Sequence, residues 1–278
     1  MDLARERKNN MDNYRAFAEE LVRKAGARLT EMHRDALTVS YKGDDTRNVI
    51  TNLDTEISEF LRAEIQKTFP DHRVYSEEDA VASQAQMQGY EWVLDPIDGT
   101  ANFSRGVPHF AVCVGLLKDG APIVGAICNP ITDELFSFEA GTGAFLNGTS
   151  IHAAVSSELS EAHGLIIIGH KASMRDWGLA VYRSFLEQLK KVKGFGSSSL
   201  DLCFLAAGRV DVVVYGTLST RDIASAVGVV RAAGGEVYAV RTGEPVAIST
   251  QAQPIIATAN KVLFENLKPY LHTELLPS

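Results

Sequence analysis

The sequence predicts a mixed α/β fold in which an antiparallel meander half is followed by an α/β half. Three observations carry that expectation. From Tyr14 onward apolar residues recur at three- and four-residue steps, the mark of an amphipathic helix. Between Phe110 and Glu139 three apolar runs follow one another, separated only by Lys118-Asp119-Gly120 and Asn129-Pro130, which reads as an antiparallel meander. From about Gly164 apolar strands alternate with helical patterns, as in an α/β layer.

At 278 residues and 45% hydrophobic, the chain can bury a large core, as one big domain or two close halves. Its net charge of −8 argues against a nucleic-acid polymer or an anionic membrane as partner. An anionic substrate would need local cations, which metals could supply. Cys113, Cys128 and Cys203 lie in apolar stretches without Cys-x-x-Cys spacing, which suits buried thiols in a reducing compartment. The first residues lack the apolar centre of a signal peptide, and no apolar run approaches the ~18 residues of a membrane span. A soluble, cytoplasmic protein is expected.

Taken in order, Tyr14, Phe17, Ala18, Leu21, Val22, Ala25, Leu29 and Met32 form one buried helical stripe, with Glu19, Glu20, Arg23 and Lys24 on the solvated face. Leu37-Thr38-Val39-Ser40-Tyr41 alternates as a strand does, and the polar segment 42–48 follows. A second helix is expected from about Thr51 to Phe69, burying Leu53, Ile57, Phe60, Leu61 and Ile65 before Pro70 stops it. Asp54 falls in its first turn, where the helix dipole favours a carboxylate. The segment 73–79 reads as a short strand ending in the acids Glu77, Glu78 and Asp79, a pattern that also suits an exposed loop. The polar, Gln-rich residues 80–89 read as a surface excursion.

After the meander, Asn147-Gly148 marks a tight turn, and His109, near the centre of the sequence motif below, reads as structural. Leu165-Ile166-Ile167-Ile168 is a buried strand, and the helix of Trp177, Leu179, Val181, Tyr182, Phe185, Leu186 and Leu189 follows. Gly196-Ser197-Ser198-Ser199 opens a short helix that Gly208 ends, and 210–215 is the next strand. Thr220-Arg221-Asp222 starts a helix that packs through Ala224, Ala226, Val227 and Val230 and closes at Gly234-Gly235. Asp222 suits an N-terminal cap there. With no internal repeat and no long linker, the halves 1–155 and 156–278 are expected to form one layered body.

The chain is organised around Glu91-Trp92-Val93-Leu94-Asp95-Pro96-Ile97-Asp98-Gly99-Thr100-Ala101-Asn102-Phe103. An apolar strand ends in two carboxylates three residues apart, with Pro96 fixing one φ between them and Gly99 allowing a tight reversal. Thr100 suits a helix N-cap, so two anionic ligands would stand beside an anion-binding helix start. That combination suits hard divalent cations bridging to a phosphate, although Asp-x-x-Asp alone is common in ordinary loops.

The string Asp95-Pro96-Ile97-Asp98-Gly99-Thr100, placed after a buried strand, resembles the signature of the inositol monophosphatase family, Mg²⁺-dependent and lithium-sensitive phosphatases of small phosphomonoesters. The segment 48–54 ending in Asp54, the Glu77-Glu78 pair and the Asp222 motif resemble further family segments in the same order, so the likeness covers about 48 to 240. It implies a layered α-β-α-β-α sandwich, with residues 1–155 carrying most metal ligands and 156–278 closing the site. It further implies that Asp95 bridges two cations, that Glu77 and the Ile97 carbonyl complete the first site, and that Asp98 and Asp222 complete the second. Two or three Mg²⁺ ions are implied, with Mn²⁺ able to substitute. Thr100, paired with Glu77, would orient the attacking water, with Asp54 in support. Asp98, Gly99, Thr100, Gly196, Ser197, Ser198, Tyr215 and Asp222 would contact a phosphorylated polyol or sugar. A homodimer is implied as well.

Two departures bear on specificity. The family's inositol-selective members carry a glutamate seven positions before the closing Asp, where this chain has Tyr215, and Arg221 stands where Trp is usual. Inositol monophosphate is the first expectation, with a broad sugar-phosphate range. Fructose 1,6-bisphosphate, histidinol phosphate and adenosine 3′,5′-bisphosphate remain open, and Arg221 would either pair with an acid or face the cleft and hold a second phosphate. A silent binding protein of the same fold is the rival of another class, but Asp98, Thr100 and Asp222 are all present.

Overall fold

The computed structural model describes residues 2–31, 37–41, 49–79, 88–169 and 171–277, and of 2–13 only the helical backbone. Met32, the segment 42–48 and most of the excursion at 80–89 lie outside the described residues. The chain runs α1 (Asp2–Glu31), β1 (Val39–Tyr41), β2 (Val49–Thr51), α2 (Asn52–Thr68), β3 (Arg73–Ser76), β4 (Tyr90–Asp98) and α3 (Thr100–Arg105). It continues as β5 (Ala111–Lys118), β6 (Ala121–Asn129), β7 (Glu134–Glu139), β8 (Gly143–Leu146), β9 (Thr149–Ile151), β10 (His163–Ile167) and α4 (Arg175–Gln188). It closes with β11 (Lys191–Lys193), α5 (Ser198–Ala206), β12 (Val212–Ser219), α6 (Ala224–Ala232), β13 (Glu236–Ala239), β14 (Ala252–Thr258) and α7 (Lys261–Leu267).

Strands β3 to β9 form one seven-stranded sheet in sequence order. Only β3 and β4 pair in parallel; the others are the expected antiparallel meander. A second sheet of five strands has the order β11-β10-β12-β14-β13, with β10 parallel to both neighbours and β14 antiparallel to its own. Helices α1 and α2 cover one face of the large sheet, α5 and α6 fill the space between the sheets, and α4 and α7 cover the far face of the small one. The layers therefore stack as α-β-α-β-α, as the family resemblance implies.

Alternation along β4 shows why both its faces are covered. Trp92 and Leu94 join the core beneath α1 and α2, while Val93 joins the core against α5 and α6. Full burial of an apolar side chain such as Leu94 contributes about 1.5–3 kcal/mol, so the strand carrying the site is firmly held. The middle layer packs directly against the large sheet. A Cβ added to Gly228 would lie 2.0 Å from the Phe138 ring, so glycine is what lets α6 settle there. That approach brings the start of α6, with Asp222 before it, towards the end of β4.

Some expected boundaries move. Asp222 lies in a turn two residues before α6, whose N-cap is Ile223, so it does not cap that helix. Leu179 and Leu186 remain exposed on α4, whose packing face is Trp177, Val181 and Phe185.

Candidate active site

The site begins where β4 stops behaving as a strand. Pro96 has no N–H to give the ladder, and the β4–β5 register shifts between Asp95 and Asp98. Ile97 buries its side chain under α1 and α2, and its N–H donates to Asp95 Oδ1 at 3.1 Å. Its carbonyl accepts the Thr100 hydroxyl at 2.8 Å. Gly99, at φ 88°, is the N-cap of α3 in place of Thr100. A Cβ there would also come within 3.0 Å of the His109 carbonyl oxygen, so the turn needs glycine for both reasons. With the cap position taken by Gly99, the Thr100 side chain is left to reach Ile97 and, at 3.2 Å, Asp54 Oδ1.

Asp54 is 1% exposed and serves two structures with its two oxygens. Oδ2 accepts the Thr51 N–H at 2.8 Å and the Thr51 hydroxyl at 2.5 Å, closing a capping box at the start of α2. Oδ1 faces Thr100. Asp54 thus caps α2 with one oxygen and meets Thr100 with the other. Glu77 follows β3, and its N–H donates to the Leu94 carbonyl at 3.1 Å, which keeps it beside β4. The turn bearing Asp222 is tied down by Arg221 N–H to the Ser249 carbonyl at 3.0 Å and Thr220 Oγ to the Ala247 carbonyl at 2.7 Å.

Glu77, Asp95, Ile97, Asp98, Gly99, Thr100, Ser198 and Asp222 line one open cleft of about 230 Å³. Burial above all, then the charges of Glu77, Asp98 and Asp222, push the Asp95 carboxyl well above the usual range. Burial also raises Asp98, against the lowering effect of hydrogen bonds from Ser197, Ser198 and Ser199. These acids cannot all be charged so close together without a counter-charge.

Asp98 is held at the start of α5. It accepts the Ser198 hydroxyl at 2.7 Å, the N–H groups of Ser198 and Ser199 at 3.1 and 2.8 Å, and the Ser197 hydroxyl. Four donors match the acceptor capacity of a carboxylate. Among the described residues no three His, Cys, Asp or Glu side chains surround one point as metal ligands would. The acids share a cleft, but Asp98 is turned onto α5. The donor set is nevertheless all oxygen, four carboxylates and a backbone carbonyl, which fits a hard divalent cation, and the raised Asp95 calls for positive charge.

Three expected substrate contacts lie outside the cleft lining: Tyr215, Gly196 and Ser197. Tyr215 does not line the cleft; it is 6% exposed and donates its hydroxyl to Asp201 Oδ2 at 2.7 Å. Burial first, then Asp201, raises its phenol. Gly196, at φ 86°, is exposed outside the cleft, and Ser197 is fully buried with its hydroxyl donating to Asp98. Arg221 pairs with an acid, as one of its two expected roles: Nη2 lies 2.8 Å from Glu91 Oε2, with both side chains buried. It does not line the cleft, so it holds no second phosphate there.

Sequence reasoning missed Tyr75 and Asp201, the partner of His109. His109 Nε2 lies 2.9 Å from Asp201 Oδ1, so its structural reading stands, but with a buried acid as the reason. Asp201 had a signal: it is the one acid in the apolar run Leu200 to Ala207. Tyr75 had none, since an aromatic residue in a strand reads only as core.

A model of the inositol monophosphatase family matches residues 10–276. The chain is 30% identical to the inositol-1-monophosphatase of Bacillus subtilis, over 92% of this chain and 96% of that one. It is 30% identical to the fructose-1,6-bisphosphatase/inositol-1-monophosphatase of Aquifex aeolicus, over 92% and 94% of the two chains. The solved structure of inositol monophosphatase from Anabaena superposes with a TM-score of 0.80 at 30% identity, over 96% of this chain and 98% of that one. With the five-layer sandwich and the acidic cleft beside α3 already in place, this match over nearly the whole length means that the chain belongs to the inositol monophosphatase family and is a phosphoric monoester hydrolase.

Proposed function

We propose that the chain hydrolyses small phosphomonoesters with Mg²⁺ as cofactor, taking inositol monophosphate first and sugar phosphates more broadly. The observation that carries this is the single cleft joining Glu77, Asp95, the Ile97 carbonyl, Asp98, Thr100 and Asp222. In this reading Asp95 would help hold both cations, with Glu77 and the Ile97 carbonyl for the first and Asp98 and Asp222 for the second. Residues 1–155 bring Asp54, Glu77, Asp95 and Asp98, and residues 156–278 close the cleft with Ser198 and Asp222. Bound there, the cations lower the pKa of a water and offset the charge of the phosphate and of the leaving alkoxide.

The chain's own groups do the rest. The Thr100 hydroxyl, whose one proton lies between the Ile97 carbonyl at 2.8 Å and Asp54 Oδ1 at 3.2 Å, keeps its lone pairs to accept a hydrogen bond from the attacking water. Glu77, held beside β4, orients the same water. The Gly99 and Thr100 amides on the cleft wall bind phosphate oxygens. Asp98 would hold the second cation with the Ser197 and Ser198 hydroxyls turned from it, and the N–H groups of Ser198 and Ser199 would keep it in place.

With Tyr215 bonded to Asp201, no anionic acceptor for ring hydroxyls comes from that position, which favours breadth over selectivity. A homodimer belongs to the same proposal and rests on the family resemblance. The test is phosphate release from inositol 1-phosphate, sugar monophosphates and fructose 1,6-bisphosphate, with Mg²⁺ and after chelation. Hydrolysis of several monophosphates, abolished by chelation and restored by Mg²⁺ or Mn²⁺, is expected. Undiminished release from chelated protein overturns the reading.

A further inference from the structure

Behind Asp222 lies a buried polar arrangement that the hydrolytic chemistry above leaves without a task. Tyr75, on β3 two residues before Glu77, donates its hydroxyl to Asp222 Oδ1 at 3.3 Å. The Arg221 guanidinium lies over the Tyr75 ring, 3.9 Å from its centroid. The same guanidinium stands 2.8 Å from Glu91 Oε2, the two side chains being 3% and 5% exposed. Glu91 sits four residues before Asp95 on β4, and its other oxygen is 3.6 Å from Arg73 Nη2 on the neighbouring strand.

Each of these contacts constrains the next. A charge pair taken out of water is costly unless its geometry is good, so Arg221 and Glu91 have little freedom to drift apart. A cation over an aromatic face holds the ring flat beneath it. The ring is thereby fixed in plane, and its one hydroxyl proton is aimed at Asp222. Tyr75 and Asp222 are 147 positions apart, so this bond ties the large sheet to the turn that opens α6.

We propose that Tyr75, locked by the Arg221–Glu91 pair, is a positioning residue that fixes the Asp222 carboxylate for the second cation. The proposal rests on the metal-phosphatase reading only in taking Asp222 as a ligand. Partners that hydrogen-bond a ligating group typically change metal affinity about 10–100-fold when removed. Tyr75→Phe deletes the hydroxyl and keeps the ring under Arg221, so it separates positioning from packing.

The experiment is Mn²⁺ binding to the metal-free full-length protein without substrate, by calorimetry or electron paramagnetic resonance, with thermal unfolding alongside. In Tyr75→Phe one Mn²⁺ site is expected to lose affinity about tenfold, with the other unmoved and the metal-free melting temperature nearly unchanged. Glu91→Gln should weaken the same site and lower the melting temperature as well. In assays on inositol 1-phosphate, the half-saturating Mg²⁺ concentration should rise by a similar factor in Tyr75→Phe, more than kcat falls. Unchanged Mn²⁺ affinities in Tyr75→Phe overturn the proposal, as does wild-type protein that binds no Mn²⁺. Wild-type protein that binds Mn²⁺ yet hydrolyses no phosphomonoester overturns the phosphatase reading, and the Mn²⁺ comparison still decides the role of Tyr75.

Discussion

The hydroxyl of Tyr215 donates to Oδ2 of Asp201 at 2.7 Å, inside the layer between the two sheets. His109 meets the other oxygen of that carboxylate, so Asp201, fully buried, is held by a strand on one side and a loop on the other. Tyr215→Phe leaves Asp201 short of one donor, and a buried acceptor so deprived costs about 1–3 kcal/mol. Lower thermal stability with an unchanged KM for inositol 1-phosphate is the expected outcome. A large KM change at unaltered stability would put Tyr215 back in contact with substrate.

Arg221→Ala removes one partner of a buried ion pair, a change that commonly costs about 3–5 kcal/mol. Activity on mono- and bisphosphates should fall together. Arg221→Lys, which keeps the charge and loses the flat stacking over Tyr75, should show the same parallel fall in a milder form. A selective loss on bisphosphates in either variant contradicts the buried placement.

Asp98→Asn and Asp222→Asn should each lower kcat by at least ~100-fold, in line with losing a charge that acts in the transition state. They should differ in stability. Asp98 alone accepts from two serine hydroxyls and two amides of α5, so its variant should melt lower than that of Asp222. Glu78→Gln, outside the cleft lining, should change kcat little. Equal, mild effects at all three positions would reduce these acids to surface charge.

Thr100→Val keeps the shape and deletes the hydroxyl that meets Asp54 and the Ile97 carbonyl. Loss of proton handling of this kind costs about 100-fold or more in kcat. Thr100→Ser should restore most of it, because the hydroxyl returns. Equal activity in the two variants rules out a role for this oxygen.

Asp95 yields a pH dependence of the metal-free protein. Burial, then Glu77, Asp98 and Asp222, hold its folded pKa above the unfolded value, so the folded chain binds the proton more tightly. The stability this contributes is fully present below about pH 4 and is lost as pH rises through the folded pKa. Asp95→Asn removes that loss. With chelator at about pH 8 the variant should melt at least about 2 °C above wild type, the gap closing towards about pH 4. Added Mg²⁺ should raise the melting temperature of wild type and leave the variant nearly unmoved. A wild type that melts higher than the variant at every pH counts against this cluster.

By itself the sequence determined the layered α/β class and the local form of the site. Helical and strand periodicities are short-range, so the helix of Leu21, Val22 and Ala25 and the meander from Phe110 could be read directly. Pro96 and Gly99 constrain their own backbone, so the reversal that puts Asp95 and Asp98 on one wall follows from adjacent residues. Asp54 was legible for the same reason, as a first-turn acid in a helix.

Only the tertiary structure decided what Tyr215, Arg221, Tyr75 and Asp98 face. Each meets a partner many positions away across the middle layer: Asp201, Glu91, Asp222 and the serines opening α5. A tyrosine at a strand position reads the same whether its hydroxyl meets a substrate or a buried acid, and an arginine beside an aspartate reads the same whether it faces a cleft or a core. The choice depends on which groups stand opposite once α5 and α6 pack between the sheets. Burial then makes that choice strict, because in a dry layer a charge or hydroxyl must be paired within the protein.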